Sequence, residues 1–136
     1  MLTRTEQGKE YVFCSWRKKW VRLTPEEWVR QHFLEKLTQE YHYPHELMGV
    51  EIQLKNKRTD AVVYSPQHNR LIMLLEFKAD NVALTQETLD QIVVYNRQCC
   101  VPYLILSNGK QTIVAHVLEN KINYMPNIPE WKELLN

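Results

Sequence analysis

The chain carries almost no net charge, with 17 lysines and arginines against 16 aspartates and glutamates and a balance of +1. That excludes the overall basic footprint of a general nucleic-acid binder, so any such contact must be local or metal-assisted. No apolar stretch approaches the roughly 20 residues of a membrane span. The amino terminus, Met1-Leu2-Thr3-Arg4-Thr5-Glu6, has none of the apolar core of a signal peptide. Cysteine is scarce: Cys14, Cys99 and Cys100 are an odd set with two adjacent, neither a disulfide framework nor a spaced zinc set. Repeats, linkers and low-complexity segments are missing. A chain of 136 residues is therefore expected to form a single domain over 1–136, cytoplasmic and without membrane association.

What is present centres on two apolar arms. Thr59-Asp60-Ala61-Val62-Val63-Tyr64 and Arg70-Leu71-Ile72-Met73-Leu74-Leu75-Glu76-Phe77-Lys78 flank the turn cluster Ser65-Pro66-Gln67-His68-Asn69. They read as a β-hairpin whose second arm is buried on both faces. Alternation puts Glu76 and Lys78 on one face and Phe77 on the other. If Tyr64 pairs with Arg70, Asp60 lies opposite Leu74 and Glu76 is its diagonal neighbour on the same face, at about 7–8 Å. Two carboxylates so placed can share one hard divalent cation, Mg²⁺ with Mn²⁺ as a substitute, alongside the substrate's phosphate oxygens. Lys78 adds a compact positive charge that can orient water or offset charge on a phosphate.

The remaining elements supply both layers of a sandwich. Thr24-Pro25-Glu26-Glu27 opens a helix running to about Tyr41, with Thr24 as N-cap and Glu27 closing a capping box. Its buried stripe is Val29, Phe33 and Leu37, widened by Trp28 and Leu34. Tyr11–Cys14, Trp20–Leu23 and Met48–Leu54 read as strands, the last with Glu51 and Gln53 on its polar face. Thr85 caps a second helix to about Cys99, on which Gln91 and Tyr95 are one turn apart. Tyr103–Leu106 follows as a strand parallel to its neighbour, and Asn108-Gly109 marks a two-residue hairpin into Thr112–Val117. Leu118–Tyr124 is expected as an edge strand, and Pro129 as the start of a terminal helix. Lys55, Lys57 and Arg58 lie just before Asp60, which makes them candidate phosphate contacts. Arg17-Lys18-Lys19 is a second basic cluster that reads equally as a solvated loop.

Asp60 with Glu76-Phe77-Lys78 resembles the PD-(D/E)XK nuclease superfamily. The companions Leu23–Gln31, Arg58-Thr59-Asp60, Gln91–Asn96 and Ser107-Asn108-Gly109 resemble the N-terminal nuclease domain of type I restriction enzyme R subunits, over about Cys14 to Val117. The resemblance implies an α/β fold with a restriction-endonuclease-like core, a central mixed β-sheet flanked by helices on both faces. It also implies a metal-dependent DNA endonuclease in which Asp60, Glu76 and Lys78 act with Gln91 and Tyr95. An acidic residue on the first helix can complete the metal site in such nucleases, and Glu27 is the best-placed candidate, although the capping box explains it without a metal. On the same grounds Arg30 and Gln31 are either active-site neighbours, Arg30 as a nucleic-acid contact, or ordinary helix surface. A 136-residue chain has no room for the R-subunit motor, so a separate motor or specificity subunit, or a second copy to cut the other strand, stands open as a partner beside DNA. The rival reading is a catalytically silent module that keeps the fold to bind nucleic acid or protein.

Overall fold

In the computed structural model, residues 1–135 are described. The chain begins with a three-stranded antiparallel meander, β1 (Thr3–Glu6), β2 (Lys9–Cys14) and β3 (Lys19–Arg22). Helix α1 (Pro25–Glu40) follows, then a short 3₁₀ turn at His45–Leu47. A six-stranded sheet comes next, ordered β4 (Met48–Leu54), β5 (Lys57–Ser65), β6 (Arg70–Phe77), β7 (Tyr103–Ser107), β8 (Thr112–Leu118) and β9 (Lys121–Met125). Helix α2 (Gln86–Cys99) crosses from β6 to β7, and α3 (Trp131–Leu134) ends the described chain. Among the described residues only β6 and β7 run parallel, as expected where a helix carries the chain back over the sheet. The mixed α/β architecture inferred from the sequence is the one observed.

Each face of the sheet buries one helix. Ala61, Val63, Met73, Leu75 and Phe77 pack under Val29, Phe33, Leu34 and Leu37 of α1. Val62, Leu74, Leu104 and Ala115 pack with Tyr95 of α2, and Leu106 packs with Leu89 and Ile92. This explains the unbroken apolar run in β6, where Ile72 to Leu75 are all buried. Trp28 does not widen the α1 stripe; it is 45% exposed, its ring tilted against His32 with centroids 3.8 Å apart. Tyr43 is buried instead, its hydroxyl donating to Pro129 O at 2.9 Å and its ring packing on Trp131, which holds the carboxyl-terminal segment.

Two hairpin expectations are corrected, and one strand goes beyond the expected set. Thr3–Glu6 is a strand although all four residues are exposed, so no apolar alternation announces it. Gln7 and Gly8 both have positive φ, as the turn into β2 requires. The central hairpin pairs Ser65 with Arg70 across a four-residue loop, and a bulge between Val63 and Tyr64 shifts the register again, so Ala61 faces Leu75. The Asn108-Gly109 hairpin is also a four-residue loop, closing on Ser107 and Thr112. There Asn108 Oδ1 accepts from the amides of Lys110 and Gln111, and its amide nitrogen donates to Val82 O. A side-chain turn replaces the tight turn.

Candidate functional site: two carboxylates at the end of the central hairpin

The shifted register places Asp60 one step beyond the Ala61–Leu75 pair, so it meets Glu76 directly rather than diagonally across Leu74. Asp60 Oδ2 accepts the Phe77 amide at 2.7 Å, which fixes the carboxylate across the strand gap. Glu76 Oε1 accepts from Lys57 Nζ at 2.9 Å. The Glu76 carboxyl is pushed up to about 7, first by burial and then by the Asp60 charge, against the pull of Lys57. Two acids that hinder each other's ionisation therefore share one small space. The side chains of Asp60 and Glu76 retain 16% and 15% of their accessibility, so solvent reaches both.

A buried ion network lies beside this pair. Arg30 Nε and Nη2 reach the two Glu27 oxygens at 3.1 and 2.5 Å. Arg17 Nη2 and Gln31 Nε2 add contacts to Glu27 Oε2 at 2.7 and 3.0 Å. These partners outweigh burial and hold the Glu27 carboxyl well down, at about 2. Both Glu27 oxygens are thus engaged by nitrogen donors, Oε2 by three, from two arginines that repel cations and Gln31, and a metal-ligand role for Glu27 does not fit. Nor does Glu27 complete a capping box. Its amide donates to Thr24 Oγ1 at 3.0 Å, but the Thr24 amide donates to Arg22 O at 3.1 Å rather than to the Glu27 carboxylate. Arg30 is equally committed: it is 5% exposed, bonds Glu51 Oε1 at 2.8 Å, and approaches Asp60 O at 3.4 Å and Asp60 Oδ1 at 3.8 Å. It braces the acids and is not presented to a phosphate.

The other sequence-inferred residues divide. Lys78 follows the end of β6, where its amide donates to Ser107 O at 2.9 Å; its ammonium charge acts on Glu26 rather than pairing with Glu76. Tyr95 joins the site region, donating its hydroxyl to Leu54 O at 2.5 Å while Lys57 Nζ lies 5.1 Å from its ring centroid. Burial, more than the neighbouring Cys99 and Glu76, pushes the Tyr95 hydroxyl up to about 12. Gln91, one turn earlier, is exposed. Lys55 and Arg58 are exposed around the β4–β5 turn, with Arg58 Nε 3.9 Å from Glu51.

Two acids here escaped sequence reasoning. Glu51 reads as an ordinary outward residue of β4, yet its φ is +56° and its rung opposite Asp60 is missing between the Val50–Ala61 and Ile52–Thr59 pairs. Glu51, Asp60 and Glu76 consequently stand at one level across three strands. Glu26, in the first turn of α1, is raised by burial first and by Asp60 next. Glu26, Glu51 and Arg30 line an open cleft of about 480 Å³ with Thr24 and Ala79. No signal in the sequence marks Glu51, because a left-handed residue in mid-strand has no side-chain pattern. Among the described residues no group of three or more His, Cys, Asp or Glu side chains is arranged to hold a metal alone. A hard cation here would draw on the Asp60–Glu76 pair, waters and phosphate oxygens.

The sheet with a helix packed on each face defines a mixed α/β domain. The chain belongs to the family of the type I restriction enzyme R protein N terminus, whose model matches residues 25–129. No curated protein matches the chain. Among the described residues no helix is long and apolar enough to cross a membrane.

Proposed function

We propose that this chain is a metal-dependent DNA endonuclease domain with a restriction-endonuclease-like core, hydrolysing phosphodiester bonds at the Asp60–Glu76 pair. The single observation that carries the reading is the approach of Asp60 and Glu76 at the end of the β5–β6 hairpin, one step beyond the Ala61–Leu75 pair, each side chain partly reached by solvent. Their oxygens suit Mg²⁺, with Mn²⁺ as a substitute, because carboxylates in a pair resist ionising together unless a cation joins them. When bound, such an ion polarises a phosphoryl oxygen and lowers the pKa of water. Lys78 supplies a positive charge at the strand end for the phosphate. Lys57 holds Glu76 in place, Tyr95 steadies the β4–β5 turn from below, and Gln91 faces solvent on the same helix, where a nucleic-acid strand can reach it. Lys55 and Arg58 complete a local basic rim beside the acids. DNA is the expected partner, and a separate motor or specificity subunit is the expected company for a domain of this family.

Plasmid DNA incubated with the wild type and Mg²⁺ is expected to be nicked or cut, and Glu76→Ala and Asp60→Asn are expected to lose at least about 99% of that rate. Equal cleavage by wild type and Glu76→Ala sinks the proposal. The catalytically silent alternative is favoured by one observation: Glu76 pairs with Lys57, leaving Lys78 outside the carboxylate pair. Calorimetric titration with Mn²⁺ separates the two, since no heat of binding to wild type supports the silent module.

A further inference from the structure

The amino-terminal meander precedes the family-matched residues and presents an unusual outer face. Strand alternation buries Val12 and Cys14 and packs Val21 on the core, so Tyr11, Phe13, Trp20 and Arg22 point the other way. Register then sets Trp20 opposite Phe13, Arg22 opposite Tyr11, and Arg4 on the other side of Tyr11. The rings touch edge to face at 5.6 Å, while Arg4 lies over Trp20 at 4.3 Å and Arg22 over Tyr11 at 5.7 Å. None of the three rings joins an apolar core cluster, although the solvated face of an antiparallel sheet is ordinarily polar. Arg4, Lys9 and Arg22 share this face with one carboxylate, Glu6, which Arg4 meets at 3.6 Å. A local excess of positive charge therefore coincides with half-buried aromatic rings in a chain that is otherwise nearly neutral.

We infer that this face is a binding platform for single-stranded nucleic acid, separate from the carboxylate site. Aromatic rings and guanidinium planes are flat partners for bases, and the cations answer the phosphates. Tyr11 and Phe13, two residues apart on β2, sit about 7 Å from each other along the strand, which allows adjacent splayed bases one ring each. A duplex keeps its bases stacked on one another and offers these rings no face, so the single strand is the ligand.

The test measures fluorescence anisotropy of a labelled oligothymidylate of about twelve nucleotides. The full chain is used in EDTA, so the readout is independent of cleavage, and a domain without nuclease activity would still report binding. The wild type is expected to bind the oligomer, to bind the matching duplex more weakly, and to lose affinity steeply as salt rises from about 50 to 200 mM. Trp20→Ala is expected to weaken binding at least about tenfold. Trp20→Phe should retain most of the affinity, and Arg4→Gln with Arg22→Gln should flatten the salt dependence. Failure of the wild type to bind overturns the inference, as does undiminished binding by Trp20→Ala. Should Trp20→Ala fail to fold, the paired arginine variant carries the test, and unchanged affinity there is equally decisive.

Discussion

Glu27 shows how far a residue's neighbours can change its role. In sequence it is a helix-capping acid; in the structure it is the shared anion of Arg17 and Arg30. Glu27→Gln takes the shared counter-charge from Arg17 and leaves Arg30 with Glu51 and Asp60 alone, and the expected loss is roughly 3 kcal/mol of unfolding free energy. Its carboxyl is held at about 2 against an ordinary 4.5. A lowered carboxyl stabilises the fold above its unfolded value, so this contribution is lost as pH falls from about 4.5 through 2. Urea unfolding at several pH values should show a steeper acid decline in wild type than in Glu27→Gln. Glu51 invites a different measurement, because its φ of +56° is costly for any residue with a Cβ. Glu51→Ala and Glu51→Gly both lose the Arg30 contact, yet the glycine variant should be the more stable by about 1 kcal/mol, as read from their denaturation midpoints. Equal stability in the two would show that the kink stores no strain.

At the scale of elements, the β5–β6 hairpin and α2 decide the site together. The bulge after Val63 rotates nothing by itself, but it advances the register by one so that the two acids meet. Tyr95 then ties α2 to the β4–β5 turn through Leu54 O. Removing that hydroxyl in Tyr95→Phe is expected to cost about 1 kcal/mol and to speed amide exchange in the turn, seen by hydrogen exchange. The apolar packing of the ring remains, so a loss above about 3 kcal/mol would assign Tyr95 to the core rather than to the turn. Helix limits were legible because their signals are local: Thr24 with Pro25, and Thr85, mark both starts where the structure has them. Loop lengths were not. Ser65 pairs with Arg70, and Asn108 spends its side chain on a longer turn, and neither choice shows in the identities alone.

For the whole molecule, the family match spans 25–129, yet the preceding meander is not an ornament. Val12 and Cys14 are fully buried, Cys14 within the α1-side core, and Arg17 reaches from the β2–β3 turn into the Glu27 network. A chain lacking residues 1–24 is expected to melt more than about 10 °C lower in a thermal scan, since it exposes that apolar surface and strands a buried carboxylate. An unchanged midpoint would make the meander an independent unit.

By itself the sequence determined the layered α/β plan, the central buried strand, the parallel return through a helix and the candidate set Asp60, Glu76 and Lys78. Those follow from periodicity, capping residues and residue chemistry, which act over a few neighbours. Only the tertiary structure decided that Asp60 faces Glu76, that Lys57 rather than Lys78 pairs with Glu76, and that Glu27 and Arg30 neutralise each other. It alone brought Glu51 to their level. Register, bulges and the partners of buried charges depend on residues distant in the chain, and no local pattern encodes which of several nearby cations a carboxylate will meet.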